Sequence, residues 1–201
     1  MAGEWTPPPV PPKNPGVGGK KRMDVKTISL STVFASIYAA LVIFLAPISL
    51  GAVQLRIADC LLPLSALFGW PMIIGATLGC SVGNAVGGIV AFGSLNFLDI
   101  VFGSLANFLA TLVIFKLRKK KILGCIFASI IIGVIVGGYL WIFVPAPEIF
   151  NLALQPWVLM IICLTLSSLI AIAIFGYILL LALCQPSIIK LIKSYGLKVY
   201  L

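Results

Sequence analysis

The chain has no histidine among its 201 residues, and only 9% of them are charged. Lacking histidine, it lacks the usual near-neutral general base, any Ser-His or Cys-His pair, and the commonest zinc ligand. Soluble domains carry about 25% charged residues to keep their surfaces wet, so the shortage of charge excludes a water-soluble domain. Acids are scarcest, five against fourteen Lys plus Arg. No G-x-x-x-x-G-K-[ST] phosphate loop is present, which excludes ATP binding of that kind. There is no Asn-x-Ser/Thr acceptor and no internal repeat of the roughly 20–50-residue class. Cys60, Cys80, Cys125, Cys163 and Cys184 are scattered through apolar stretches without metal-ligand spacing and read as small buried hydrophobes. No metal and no cofactor is expected, and the chain is not expected to be an enzyme.

What is present is apolar. Hydrophobic residues make up 61% of the chain, and the mean hydropathy is +1.19. This is the composition of an integral membrane protein. Residues 1–27 stand apart: Pro7-Pro8-Pro9 and Pro11-Pro12 favour polyproline II, and Gly16 to Gly19 is flexible. That segment is expected to be a disordered basic tail, with a proline-rich ligand as the alternative. Residues 28–201 form the membrane domain.

A bilayer core requires roughly 20 helical residues. Spans are expected at about 28–50, 71–92, 97–115, 122–144 and 157–183. The stretch 52–70 is interrupted by Gln54, Arg56, Asp59 and Pro63, and its cleanly apolar part is short. Charge parity decides whether it crosses. Thirteen of the fourteen basic residues fall into three clusters: Lys13 to Lys26, Lys116 to Lys121, and Lys190 to Lys198. Basic loops stay cytoplasmic, so the first two clusters share a side only if an even number of crossings separates them. The expected fold is therefore an all-α bundle of six transmembrane helices with both termini cytoplasmic. Trp141 and Trp157 should then sit at the outer headgroup level and Trp70 at the inner one. The basic clusters suit acidic lipid headgroups rather than nucleic acid.

This topology gathers the remaining polar residues outside: Gln54, Arg56, Asp59, Asn96 and Asp99 among them. Ionisable groups near hydrocarbon depth face an interior or a cavity because exposure to lipid is costly. If the second helix starts near Ala52, Arg56 and Asp59 are spaced i, i+3 and share a face. They then form either a self-contained ion pair or part of a polar cavity completed by Asp99 and Asn84. Asp99 opens the fourth helix, where capping alone is the alternative role. Gly75, Gly79, Gly83 and Gly87 make a small-xxx-small stripe, read as tight internal packing rather than a ligand channel. Ser31, Ala35 and Ala39 repeat that spacing on the first helix, either packing within the chain or docking another protein.

Three segments resemble one family. Ala52 to Leu61 (AVQLRIADCL) is similar to the "vQFRisEaL" element of the QueT family of queuosine-precursor transporters. Gly79-Cys80 with Asn84 resembles its "GC…N" element, and Asp99 to Ala106 (DIVFGSLA) its "DivfGSla" signature. The stretch from Phe175-Gly176-Tyr177 to Leu183 resembles the family's last helix, so the likeness covers about residues 30–185. Two positions depart from the pattern: Asp59 replaces a Glu, and Ser168 stands where a second Glu is expected. The second departure bears on substrate identity.

The resemblance implies a substrate-binding S-component of an energy-coupling factor (ECF) transporter. Such subunits have six helices and capture a vitamin-like solute near the outer face. They dock, in several cases through an AxxxA stripe, on a transmembrane coupling protein that carries two ATPases. Here that implies docking through Ala35 and Ala39, with a deazaguanine base or queuine as substrate. A carboxylate accepts two hydrogen bonds from the base's N–H edge, and an amide or Arg serves its carbonyl. Asp99 or Asp59 is the expected carboxylate and Asn84, Gln54 or Arg56 the donor, with Phe97 or Trp157 stacking on the ring. The alternatives are an S-component for another micronutrient, a solitary small-solute carrier, and a membrane enzyme using Asp59 with Asp99.

Overall fold

A computed structural model of the chain describes residues 25–46, 55–145 and 155–200. The proline-rich tail up to Asp24, and Gln54 with its neighbours, lie outside the described residues. Every regular element among those described is helical.

Helix α1 (Val25–Phe44) is apolar around its whole circumference, as befits a helix between protein and lipid. After residues 47–54 the chain resumes as Leu55-Arg56, which is not helical, and enters a 3-10 helix (Ile57–Leu64) continued by one turn of α2 (Ser65–Phe68). Pro63 lies inside the 3-10 helix and has no N–H to give to it. Gly69, at φ 66°, then reverses the chain, and Pro71 pre-sets the first turn of α3 (Trp70–Phe92). Gly93, left-handed at φ 68°, ends α3. Helix α4 (Phe97–Lys116) starts at Asn96, whose side chain accepts the Asp99 N–H. A single basic turn (Arg118–Lys120) leads to α5 (Lys121–Leu140). Helix α6 (Pro156–Ser168) runs through a π-helical stretch (Leu169–Gly176) into α7 (Tyr177–Leu183), and α8 (Pro186–Ser194) follows.

Five of these helices are long and apolar enough to cross a membrane: Val25–Phe44, Trp70–Ala91, Phe97–Lys116, Arg118–Leu140 and Pro156–Leu183. They match the expected spans to within a few residues except at the end of the first, where the described helix stops at Phe44. The region expected to supply another span differs. Ile57–Phe68 is a short apolar helix, roughly 22 Å long at 3-10 and α rises, against a hydrocarbon core of about 30 Å. It is nearly all buried, including Asp59, Leu62, Pro63 and Leu64. Irregular backbone at membrane depth is tolerated when protein surrounds it.

Two close approaches hold this arrangement. A Cβ added at Gly75 or Gly79 would come within 2.7 Å of α1, against Phe34 and Ala35 respectively, and at Gly83 within 2.9 Å of Val42. Three members of the glycine stripe thus let α1 and α3 pack backbone to backbone, the internal reading of that stripe. At Gly176, in the π-helical stretch, a Cβ would lie 2.7 Å from the Pro63 ring and 2.8 Å from the Cys60 carbonyl. That glycine admits the buried 3-10 helix. The small residues of α1 lie on the same packed side: Ser31 and Ala39 are buried, and the main chain of Ala35 meets Gly79.

Candidate functional site

Arg56 sits just before the 3-10 helix, where the backbone turns its side chain into the bundle rather than along a helix face. The residue is 5% exposed. Its Nη2 donates to Asn84 Oδ1 at 3.1 Å and reaches both carboxylate oxygens of Asp99 at 3.5 Å. Nη1 approaches Cys80 Sγ at 3.7 Å, and Nε has no partner. Arg56 to Asp99 is the ion pair found among the described residues. The self-contained Arg56–Asp59 pair therefore does not form: Arg56 is not helical and the 3-10 helix begins at Ile57, so the two do not share a helical face.

Asp99 is held from several sides. Tyr139 Oη donates to its Oδ1 at 2.6 Å, Asn96 caps its N–H, and Asn84 Nδ2 donates to its main-chain carbonyl at 2.8 Å. The capping role proposed for Asp99 belongs to Asn96 instead, and the Asp99 carboxylate is engaged by Arg56 and Tyr139. Asn84 is thereby fixed at both ends of its amide, receiving from Arg56 and giving to Asp99. Gly103 makes room for it, since a Cβ there would lie 2.6 Å from Asn84 Nδ2 and 3.7 Å from Arg56 Nη1. Phe102, on the neighbouring position of α4, packs its ring 5.7 Å from that of Tyr139.

Asp59 belongs to a different network. Asn107 Nδ2 donates to Tyr38 Oη at 2.6 Å, and Tyr38 in turn donates to Asp59. An amide nitrogen can only donate, so the direction of this chain is set. Asn107 lies about two helical turns below Asp99 on α4, roughly 12 Å deeper. The polar residues thus occupy two levels, Arg56, Asn84, Asp99 and Tyr139 near one end of the bundle, and Tyr38, Asp59 and Asn107 further in.

A cavity of about 470 Å³ opens beside the first level. Asn84, Asp99, Ser94 and Asn96 give it polar edges, while Phe97, Leu140 and Phe143 supply apolar wall. A mostly apolar chamber of a few hundred Å³ with a few fixed polar groups is the usual form of a small-molecule site. Trp157 is half-exposed at the start of α6, bonded to Gln155 Oε1, and does not line this cavity. Ser168 is buried but also away from the lining. Among the described residues no cluster of three or more Cys, Asp or Glu could hold a metal ion.

A sequence model of the family described as QueT transporter matches residues 28–185, most of the chain. This chain belongs to the QueT transporter family. The protein is accordingly a multi-pass membrane transporter component rather than an enzyme. No curated protein and no solved structure matched it.

Three QueT-like segments meet at the site: Arg56 from the first, Cys80 and Asn84 from the second, Asp99 and Gly103 from the third. Tyr139, Tyr38 and Asn107 escaped sequence reading. Aromatics in apolar runs read as core or belt, and nothing local marks Tyr139 as the partner of a carboxylate forty positions away. Gly103 was visible as a member of the DIVFGSLA signature, but its part in making room for Asn84 was not.

Proposed function

We propose that this protein is the substrate-binding S-component of an ECF-type transporter, importing a queuosine precursor (a deazaguanine base or queuine) with energy from ATPases on partner subunits. The observation that carries the reading is the Asn84–Asp99 edge of the 470 Å³ cavity, fixed from behind by Arg56 and Tyr139. A carboxylate fixed in place accepts from the N–H edge of the base. Arg56 does not line the cavity; it holds Asn84 and Asp99 from behind, so the donor role for a carbonyl falls to the cavity-lining amide of Asn84. Phe97 is placed to form part of the apolar wall against the ring.

Six crossings with both termini cytoplasmic complete this reading. Residues 55–68 supply the sixth as a broken crossing sheathed in protein, and two facts favour the even count. Lys26 Nζ donates to the Tyr195 carbonyl at 3.3 Å, so the beginning of α1 and the end of α8 meet at one end of the bundle. Tyr200, beyond α8, donates to the Leu67 carbonyl and packs against Phe115, so the ends of α2 and α4 lie at that same end.

Docking on a coupling subunit is assigned to α1. Because Ala39 is buried and Ala35 rests on Gly79, contact at the Ala35–Ala39 stretch would rely on the exposed side chains beside it, chiefly Val33 and Ile37. The direct test is mass spectrometry of small molecules released from the purified protein. A deazaguanine supports the assignment. A non-purine vitamin would remove the substrate claim and favour another micronutrient.

A further inference from the structure

The cavity end of the protein does not account for the other end, where three stretches distant in sequence converge. Lys26 at the start of α1 bonds the carbonyl of Tyr195 after α8. Lys121, at the start of α5, reaches Cys184 Sγ just before α8 at 3.5 Å. Beyond α8 the chain folds back under the bundle: Tyr200 N–H donates to the Leu67 carbonyl at 2.9 Å. Its ring packs edge-on against Phe115 at 5.2 Å, and Lys198 lies 5.0 Å above that ring. Basic residues from all three stretches thus share one end, and the acids among the described residues, Asp59 and Asp99, are bonded elsewhere.

Helix α8 is sharply two-sided. Ile188, Leu191, Ile192 and the following Tyr195 fall on one side, with Lys190, Lys193 and Ser194 on the other. Ile192 packs against the core, whereas Leu191 is 56% and Tyr195 70% exposed. Trp70, next to the Gly69 turn that Tyr200 covers, is also half-exposed. An apolar edge that stays uncovered beside unpaired lysines suits a helix lying at the boundary between acyl chains and headgroups.

We infer that α8 and its following strap, with the Arg118–Lys121 turn, form a binding surface for anionic phospholipid. The occupant must be both acidic and greasy: the lysines call for phosphate, and Leu191 with Tyr195 calls for acyl chain, which free phosphate does not offer. Neutral phospholipid satisfies only the second requirement.

Native mass spectrometry of the full chain, released from bilayer nanodiscs of equal phosphatidylglycerol and phosphatidylcholine, reads the occupant directly. The wild type should retain phosphatidylglycerol in preference. The preference should fall by roughly fivefold for each lysine neutralised in Lys190→Gln, Lys193→Gln and Lys198→Gln, and stay with the three Arg counterparts. Should the Gln variants fail to fold, salt gives the same reading on the wild type: retention should weaken as ionic strength rises. Equal retention of the two lipids, a preference indifferent to salt, or displacement of the lipid by inorganic phosphate alone would each overturn the inference.

Discussion

Breaking the Arg56–Asp99 pair is the sharpest perturbation the site offers. At 3.5 Å the attraction is about 5 kcal/mol for an effective dielectric near 20, and burial makes each partner costly without the other. Arg56→Met keeps length and removes charge, leaving the Asp99 carboxylate with Tyr139 as its remaining side-chain donor. Removing one member of a buried pair costs about 3–5 kcal/mol, which in a chain of this size lowers Tm by roughly 6–20 °C. Asp99→Asn should cost a similar amount, stranding Arg56 with Asn84 and Cys80. The double variant has no charge left uncompensated at this level. Its loss should therefore fall short of the summed single losses by at least about 2 kcal/mol. Thermal unfolding in detergent, followed by circular dichroism on all four proteins, gives the cycle. Additivity within about 0.5 kcal/mol would refute the pair.

Three further substitutions separate the site's parts. Tyr139→Phe removes the 2.6 Å bond to Asp99 and should weaken ligand binding by roughly 10- to 100-fold in titration calorimetry, the range for a hydrogen bond to a charged group. Gly103→Ala alters no polar atom, yet its Cβ would lie 2.6 Å from Asn84 Nδ2; ligand binding should fall at least tenfold while helix content by circular dichroism stays unchanged. Tyr38→Phe strands Asp59 and Asn107, so stability in the same unfolding assay should drop by about 1–3 kcal/mol.

The long helices were legible because a bilayer imposes length and apolarity on them, and because their ends carry their own punctuation. Gly69-Trp70-Pro71 marks a turn by chemistry that acts within a few residues. The 3-10 and π-helical stretches were not legible, because they exist through each other: Gly176 yields to Pro63 only in the folded bundle. The site was half legible. Arg56, Asn84 and Asp99 stood out as polar groups in an apolar chain, but which acid Arg56 would choose depended on where a helix begins. Asp59, three positions away, pairs with Tyr38, whereas Asp99, more than forty positions away, takes the arginine.

The central claim is that the cavity beside Asp99 holds a deazaguanine base. Calorimetric titration of the wild type and the Arg56→Met/Asp99→Asn double variant with a deazaguanine base and with queuine tests it most directly, provided both proteins keep their helix content. The expected result is saturable binding of at least one of these compounds to the wild type and loss of that binding in the double variant. Binding that the double variant keeps, or no binding by a wild type that releases a non-purine vitamin on denaturation, would contradict it.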